Sequence, residues 1–286
     1  MYKTDLFRFL PDKTYIKFKY FFAFHKRLNL KKPQTFNEKL NWLKLYDRNP
    51  LYITMVDKHL SKKYVSNIIG EKYIIPTLGV YDNFDDIDFE KLPNQFVIKT
   101  NHDCGGVVLC DDKAKLNIDE SRKKINKHLK INYYYGNREW PYKNVKPQIL
   151  VEKFMKDKGK DINDYKFFCF NGKVKFFKID FNRSTYHQAN YYDVKGNLLK
   201  FGEAVCPPNF EKKLVIPENL ETMISLAEKL STGIPFLRVD FYNINNKIYF
   251  GELTLYPAAG VGKFVPNKYD QIIGDYLELP NNINKF

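Results

Sequence analysis

The chain has 286 residues, of which 44% are hydrophobic, so it can bury a substantial core in one large domain or in two to three lobes. Its formal net charge of +14 and isoelectric point near 9.3 imply an anionic partner, such as a nucleotide, an acidic glycan, a nucleic acid or a membrane surface. The four cysteines form no C-x-x-C pair and the five histidines are scattered, which excludes zinc-ligand spacing. Charged residues interrupt the first apolar stretch, and no uncharged apolar stretch approaches the roughly 18 residues of a membrane span. We therefore expect a cytoplasmic protein with reduced thiols.

Two helices are predicted near the start of the chain, at residues 13–28 and 35–46. Thr35 with Glu38 behind it is typical of a helix N-cap. The first helix mixes aromatic with basic side chains, as a helix at a membrane interface does, so peripheral contact with the inner face of the membrane is one expectation. The same stripe is also typical of a helix that packs into a core, and both interpretations stay open.

A third helix is predicted at residues 55–69, ending at Gly70, with a short strand at 73–75 after it. Residues 96–100 then predict a strand that runs into a polar loop with paired glycines and a second strand at 107–109. The backbone N–H groups of such a loop can close over phosphate oxygens, with Lys99 supplying positive charge, although an ordinary glycine hairpin is the alternative. The loop lacks the spacing of a P-loop (G-x4-G-K-S/T) and of a dinucleotide fold (G-x-G-x-x-G), which excludes both of those sites.

The second half of the chain is predicted to be mainly sheet. A basic helical connector is expected at 113–135, a strand at 148–155, a hairpin around the Asn171-Gly172 turn and a helix at 220–230. This order predicts an α+β fold with a helical lobe at 1–75, a glycine-loop lobe at 76–150 and a last lobe at 151–286. The aromatic residues are spread over the whole chain without an RNA-recognition motif, so a nucleic-acid partner is not expected.

The stretch at 236–263 concentrates charged residues in a predicted hairpin. Arg238 and Asp240 share one face of an alternating strand, and pairing across the Asn-rich turn at 243–246 brings Glu252 beside Asp240. Two adjacent carboxylates repel unless a cation lies between them, so removing one is expected to stabilise the protein without its ligands. Oxygen ligands with no His or Cys nearby suit Mg²⁺. For this spacing taken alone, a surface hairpin with scattered charges is the alternative.

Taken together and in order, these segments resemble an ATP-grasp enzyme, and within that superfamily the TupA-like group associated with cell-surface polysaccharide and teichuronopeptide synthesis. The resemblance covers nearly the whole chain from about Thr35 onward. The elements that carry it are Asp57-Lys58, the strand from Phe96 to Lys99, Asn101-His102, Gly105-Gly106, Glu152-Lys153-Phe154-Met155, Asp164-Tyr165-Lys166-Phe167, Phe170-Asn171-Gly172, Arg238-Val239-Asp240 and Gly251-Glu252-Leu253-Thr254.

The resemblance implies a role for each part of the site. Residues expected to bind ATP are Lys58 and Lys99 at the α- and β-phosphates, His102, Gly105 and Gly106 in the loop over the triphosphate, Glu152, Lys153, Phe154 and Met155 at adenine, and Asp164 or Lys166 near the ribose or phosphates. Asp240 and Glu252, with Thr254 as a third ligand, are expected to hold Mg²⁺. Catalytic roles are expected for Arg238, which matches the family arginine at the transferred phosphoryl group, and for Lys166 and Arg183.

Two departures from the family pattern matter for these roles. Many relatives carry Asn where this chain has Thr254, so the third metal ligand departs from the family pattern. The ribose-binding carboxylate has three candidates, Asp157, Asp161 and Asp164. The helical start of the chain is also short compared with the α/β lobe usual in ATP-grasp proteins. The acceptor-binding residues therefore cannot be assigned by matching them to better-known relatives.

The function that the resemblance implies is an ATP-dependent carboxylate–amine ligase that forms an amide through an acyl phosphate. The expected substrates are ATP, a carboxylate-bearing saccharide such as a uronic acid of a surface glycan, and an amino acid or small amine. A metal-dependent glycosyltransferase is the alternative, with Asp86-Ile87-Asp88 as a D-x-D site, although acidic residues are common in such turns. A nucleic-acid binder without catalytic activity is a third class. It would explain the positive net charge but gives no role to the paired carboxylates of the predicted hairpin at 236–263.

Overall fold

A computed structural model describes residues 7–156, 162–182 and 185–280. The helices in chain order are α1 (Asp12–Phe24), α2 (Phe36–Tyr46), α3 (Leu51–Val56), α4 (Leu60–Ile69), α5 (Ile118–Leu129), α6 (Tyr134–Asn137), α7 (Leu220–Ser231) and α8 (Lys268–Gly274). The strands are β1 (Thr77–Tyr81), β2 (Phe96–Thr100), β3 (Val107–Cys110), β4 (Ile149–Lys153), β5 (Asp164–Phe170), β6 (Lys173–Phe181), β7 (Gln188–Asp193), β8 (Leu198–Leu199), β9 (Gly202–Glu203), β10 (Phe236–Ile244), β11 (Lys247–Thr254) and β12 (Phe264–Val265). Over these described ranges, none of the helices combines the length and apolar character needed to cross a bilayer.

The chain divides into two compact units. One, here called the inserted unit, is Pro50–Lys156, and the other, the discontinuous unit, combines the described parts of Met1–Asn49 and Asp157–Phe286. The division into lobes at 1–75, 76–150 and 151–286 stays a prediction.

The inserted unit is built on a four-stranded antiparallel sheet with the order β1-β4-β2-β3. The apolar positions of β2 alternate, so Phe96 and Ile98 point to the same face and are fully buried. Helix α5 packs on this sheet through Ile125. Burial of this face holds β2 and β4 in register, which fixes the positions of the polar side chains at their ends.

The discontinuous unit is built on a six-stranded antiparallel sheet with the order β11-β10-β5-β6-β7-β8. Two hairpins that the sequence predicts are present, and their turn residues lie in the left-handed region: Asn171 and Gly172 have φ of 48° and 80°, and Asn245 and Asn246 have φ of 51° and 60°. Asn and Gly tolerate this conformation better than other residues, which explains why these dipeptides close the hairpins. Stacked phenylalanines such as Phe167 fill the core.

Helix α2 begins with the predicted cap, because Thr35 accepts the backbone N–H of Glu38 and the Glu38 carboxylate accepts the N–H of Thr35. Its side chains reach the far end of the sequence: the amide of Asn37 donates to the carbonyl of Gly262 and the amide of Asn41 to that of Gly260. The first residues of the discontinuous unit are thereby joined to its last ones.

Three predicted elements differ from the structure. The helix predicted at 55–69 is two helices, because the Asp57 carboxylate accepts the N–H groups of His59 and Leu60 and so starts a new helix. The strand predicted at 73–75 is replaced by a 3-10 turn at Glu71–Tyr73, and the strand begins at Thr77. The connector predicted at 113–135 is helical mainly over α5, whose N-cap is Asn117.

Candidate functional site

The loop between β2 and β3 is anchored by Asn101, the first residue after β2. Its buried side-chain amide donates to the Asp57 carboxylate and to the Lys146 carbonyl, each at 3.0 Å, and its side-chain oxygen accepts the N–H of Gln148 at 2.7 Å. One side chain therefore joins the α3–α4 turn, the glycine loop and the start of β4. The loop is held at its base by these bonds.

The glycines are required by close packing. A Cβ at Gly106 would lie 2.1 Å from the Thr100 hydroxyl oxygen and 2.9 Å from the Cβ of His128, so no larger residue fits there without a shift. Gly105 has φ of +99°, which disfavours other residues. The loop can turn at Gly105 and pack closely against Thr100 and His128 only because both positions are glycine.

Asp103 connects the loop to helix α5. Its buried carboxylate accepts the Thr100 hydroxyl and pairs with Nδ1 of His128, while its backbone carbonyl accepts the Lys58 ammonium. Lys58, predicted to bind phosphate, therefore lies at this loop. His102, predicted in the same role, is turned inward: its Nε2 lies 2.9 Å from the Ile131 carbonyl, and burial lowers the pKa of its imidazole.

Glu152 lies between two lysines. Its carboxylate is 2.5 Å from the Lys99 ammonium and also accepts the Lys62 ammonium, which in turn donates to the Thr77 hydroxyl at 2.9 Å. Burial alone would raise the pKa of Glu152, but Lys99 and Lys62 outweigh it and lower the pKa. Burial lowers the pKa of Lys62 in spite of the attraction of Glu152. The carboxylate predicted at adenine is therefore an ionised partner of two cations.

The remaining residues predicted at adenine follow Glu152 at the end of β4. Lys153 is exposed and its backbone N–H donates to the Pro76 carbonyl, while Phe154 and Met155 are half-buried. The side chains of Phe154 and Met155 are apolar and partly accessible, as a surface that contacts a base requires. Their contact with adenine stays a prediction.

In the discontinuous unit, the predicted carboxylate hairpin forms as expected. Asp240 is directly opposite Glu252, and Arg238 is directly opposite Thr254. On the other side of β10, Asp240 is opposite Lys166 of β5. Cross-strand neighbours on one face of a sheet are close enough for side-chain contact, so the five residues converge.

Arg238 is the centre of this group. Its Nη2 donates to Asp240 at 2.7 Å, to Glu252 at 2.8 Å and to the Thr254 hydroxyl at 2.9 Å, and its Nε donates to Asp240 at 2.7 Å. The bonds to Asp240 are bidentate, which is the geometry that orients a guanidinium most strongly. Arg238 is therefore held in one position by the three oxygen-bearing side chains.

Asp240 is neutralised from two sides. Its carboxylate also accepts the Lys166 ammonium at 2.6 Å, and the side chain is 2% exposed. Burial alone would raise the pKa of Asp240, but Arg238 and Lys166 outweigh it and hold the pKa well below its usual range. Arg238 binds both Asp240 and Glu252, which argues against the prediction that losing one carboxylate stabilises the protein, and that prediction stays untested.

The charged network continues across the sheet to residues that the sequence analysis did not select. Lys166 also pairs with Asp164 and lies 3.9 Å from Asp180, and Lys178 donates to Glu203 at 2.8 Å. Burial would lower the pKa of Lys166, but the carboxylates of Asp240 and Asp164 outweigh it and raise the pKa. Lys178 and Asp180 are two residues apart on β6, which pairs with β5, so their side chains share one face of the sheet. This alternation is the sequence signal from which their place in the charged network could have been predicted.

The oxygen atoms around Arg238 are of the kind that a divalent cation binds. Asp240, Glu252 and Thr254 all accept Nη2 of Arg238, so the guanidinium fills the position between these oxygens, and binding of Mg²⁺ there stays a prediction. Hard oxygen donors are those that Mg²⁺ prefers, and it commonly takes only one or two carboxylates from a protein. Within residues 7–156, 162–182 and 185–280, no group of three or more His, Cys, Asp or Glu side chains is arranged to hold a metal ion.

Three predicted residues lie outside the described residues. They are Arg183, predicted as catalytic, and Asp157 and Asp161, two of the candidates for the ribose. The third candidate, Asp164, is buried against Lys166.

Comparison with known proteins assigns the chain to a family. A sequence description of the TupA-like ATPgrasp family matches residues 38–278, which is most of the chain. The chain belongs to the TupA-like ATP-grasp family. This confirms the resemblance noted in the sequence and the ATP-grasp class of mixed helix and sheet fold.

Solved structures to which this chain is similar share little sequence with it. D-alanine–D-alanine ligase from Bacillus anthracis complexed with ATP is 18% identical, with 71% of this chain and 54% of that chain covered and a TM-score of 0.42. D-alanine–D-alanine ligase from Helicobacter pylori is 15% identical, with 85% and 69% covered and a TM-score of 0.45. Phosphoribosylamine–glycine ligase from Thermotoga maritima is 15% identical, with 73% and 50% covered and a TM-score of 0.43. The chain spans about half the length of the first and last of these. No curated protein matches it.

Proposed function

We propose that this TupA-like ATP-grasp protein is an ATP-dependent carboxylate–amine ligase. The carboxylate oxygen of one substrate attacks the γ-phosphorus of ATP, ADP leaves, and an acyl phosphate forms. An amine then attacks the carbonyl carbon, phosphate leaves, and the product is an amide. The observation that carries this proposal is the convergence of Arg238 with the oxygens of Asp240, Glu252 and Thr254 in a chain that matches an ATP-grasp family over most of its length.

The residues of the β10–β11 hairpin suit phosphoryl transfer. Carboxylate and phosphate are both anions, so their approach requires fixed positive charge. Arg238 is held bidentate by Asp240 and so is orientated before substrate arrives. We propose that Asp240, Glu252 and Thr254 would hold Mg²⁺ in place of their bonds to Nη2 of Arg238, and that the ion would neutralise phosphate charge. Lys166, held by Asp240 and Asp164, adds a second cation beside Arg238.

The lysines of the inserted unit suit the binding of a polyphosphate. Lys99 and Lys62 share the single carboxylate of Glu152, so this group of three carries a net positive charge. Lys58 adds a cation at the glycine loop. Backbone N–H groups of such a loop together with lysine ammonium groups are a common phosphate-binding combination. We propose this group as the ATP-phosphate site, in the roles predicted for Lys58 and Lys99.

For the substrates, we propose a uronic-acid carboxylate of a surface polysaccharide and an amino acid or small amine. The formal net charge of +14 favours the approach of an acidic saccharide. Since ATP is the proposed phosphoryl donor, we place the reaction in the cytoplasm.

The glycosyltransferase alternative has less support. Its candidate carboxylates are used in local turns: Asp86 accepts the side-chain amide of Asn83 at 3.0 Å, and Asp88 accepts the N–H of Glu90 and pairs with Lys91 at 2.8 Å. Ile87 between them is buried. These contacts account for the D-x-D spacing as turn chemistry.

The reaction is tested with purified protein, Mg-ATP and glucuronic- or galacturonic-acid glycosides, with serine, alanine, glutamate or ethanolamine as the amine. ADP should appear only with a carboxylate, and hydroxylamine in place of the amine should trap the acyl phosphate as a hydroxamate. With an ¹⁸O-labelled carboxylate, one label should appear in the released phosphate, because the attacking oxygen leaves with phosphorus. Unlabelled phosphate accompanied by amide, or release of UDP from a UDP-sugar, would overturn the proposal. Glu252→Gln, a change at a half-exposed carboxylate, is the inactive control.

A further inference from the structure

Helix α1 is apolar on two faces. Its inner face buries Ile16 and Tyr20, which pack with Leu28. Phe18, Phe21 and Phe22 lie three and four positions apart, so they share a second face. Their exposed fractions are 53%, 45% and 72%. A globular protein seldom leaves three neighbouring phenylalanines in water, so this face points to a partner.

Basic side chains flank these rings along the chain, both on α1 and after its end at Phe24. Lys17 lies four residues before Phe21 and Lys26 four residues after Phe22, and both lysines are exposed. Over residues 7–32 the chain has eight basic residues and one acidic residue, so these 26 residues carry half of the formal net charge of +14. The partner of this face is therefore anionic as well as apolar.

The family match does not account for this surface. The match begins at residue 38, after α1 has ended. Phe9, before the helix, is a further exposed aromatic side chain, at 79%. The proposed ATP-phosphate site and the β10–β11 hairpin are built from elements other than α1.

We propose that the outer face of α1 docks on an anionic lipid bilayer. Phe18, Phe21 and Phe22 insert between acyl chains at the interface, and lysine and arginine side chains such as Lys17 and Lys26 bind lipid phosphates. A helix with aromatic side chains on one face and basic side chains at its edges is suited to lie parallel to the membrane plane. A second copy of this chain fits the surface poorly, because two strongly basic faces would repel. A nucleic acid would satisfy the charge but not the three outward phenylalanines on a helix.

The test is co-sedimentation of the whole protein with vesicles of phosphatidylcholine containing 30% phosphatidylglycerol, and with vesicles of phosphatidylcholine alone. We expect partitioning at least tenfold stronger to the anionic vesicles, reduced by 0.5 M salt because the phosphate contacts are screened. The triple variant Phe18→Ser, Phe21→Ser, Phe22→Ser and the double variant Lys17→Glu, Lys26→Glu should each lower partitioning at least tenfold. Thermal unfolding checks that each variant is folded. Because the substituted side chains are exposed, we expect the variants to keep the wild-type fold.

A matched control lies elsewhere on the discontinuous unit. Val215 is 85% exposed and Lys213, two residues before it, is also exposed, so Lys213→Glu with Val215→Ser makes the same kinds of change away from α1. This variant should partition like the wild type. Equal binding to both vesicle types, no binding to either, or loss of binding in the control alone would overturn the proposal. So would tight binding of RNA or a concentration-dependent dimer that the α1 variants abolish. Because the assay contains no ATP or saccharide, its failure leaves the ligase proposal untouched.

Discussion

The charge state of Asp240 decides what its removal does. The carboxylate is buried between Arg238 and Lys166 and its pKa is lowered, so Asp240→Asn leaves two cations facing a neutral amide. We expect the free energy of unfolding to fall by about 3–5 kcal/mol at pH 7, which is typical of breaking a buried ion pair. Because the folded-state pKa lies below the unfolded one, the stabilisation is complete above about pH 4 and is lost as the pH falls further. Urea unfolding of wild type and Asp240→Asn at pH 7, 4 and 3 should show the difference shrinking.

Glu252 provides the matched comparison for this prediction. Its side chain is 46% exposed and accepts one guanidinium N–H and the Thr254 hydroxyl, so Glu252→Gln should change the free energy of unfolding by less than about 1 kcal/mol. A loss as large as that of Asp240→Asn would contradict the account of the buried pair. If Asp240→Asn stabilised the protein, the carboxylates would indeed repel as the sequence suggested.

Arg238 and Lys99 should differ in the kinetic constant that they affect. Arg238→Lys keeps a charge but cannot span the three oxygens that Nη2 contacts, so kcat should fall roughly 100-fold, as when one oriented donor to a transition state is lost. Lys99→Met removes a cation from the proposed phosphate site and should mainly raise KM for ATP. The measurement is steady-state ADP release with saturating carboxylate and amine. A change in KM alone for Arg238→Lys would show that its proposed role is wrong.

At the residue scale, sequence reasoning found the hairpin group and missed the groups that depend on packing. Asp240 and Glu252 are joined by a short turn, so strand alternation is enough to place them together. Lys62 is on α4, 90 residues before its partner Glu152, and only the packing of that helix beside β1 and β4 brings them into contact. No local pattern encodes such a distance. Glu203, which pairs with Lys178, was missed for the same reason.

The loop between β2 and β3 should tolerate no side chain at Gly106. Gly106→Ala would place a methyl group against the Thr100 hydroxyl and His128, so the loop must shift. This shift would disturb the contacts of Asp103 with the same two residues. We expect KM for ATP to rise at least tenfold, measured by ADP release, with a thermal midpoint lowered by several degrees. Gly70→Ala is the control in the same unit, because a Cβ there meets no atom within 4 Å and only its φ of +107° is unfavourable. It should lower the thermal midpoint without changing KM.

Elements bounded by local signals were the predictable ones. The hairpins at Asn171-Gly172 and Asn245-Asn246 and the cap at Thr35 follow from side chains that act on their own backbone. The helix predicted at 55–69 failed because its apolar period continues through Asp57, whose carboxylate caps α4 instead of extending α3. Asp57 is then held by Asn101, a contact across 44 residues that the helical period cannot reveal.

For the molecule as a whole, the excess of positive charge predicts a salt effect on the acidic substrate. A saccharide with several uronic acids should lose at least fivefold in kcat/KM between 0.05 and 0.5 M salt, because screening weakens long-range attraction to a protein of charge +14. A monosaccharide with a single carboxylate, assayed in parallel under the same conditions, should lose less. Equal losses would indicate that salt acts on ATP binding or on the chemical step.

The bonds from α2 to the far end of the sequence have a consequence for synthesis on the ribosome. The hydrogen bond from Asn41 to Gly260 can form only after the ribosome has added the 219 residues that follow Asn41. At about 5–20 residues per second, this synthesis takes roughly 10–45 s. During that time Phe36 lacks the rings of Phe170, Phe236 and Phe264 that later pack around it, while Pro50–Lys156 already has every strand of its own sheet. The nascent chain therefore carries the uncovered apolar side chains of α2 until the last strands emerge, and we expect chaperones or rapid translation to raise the yield of folded protein.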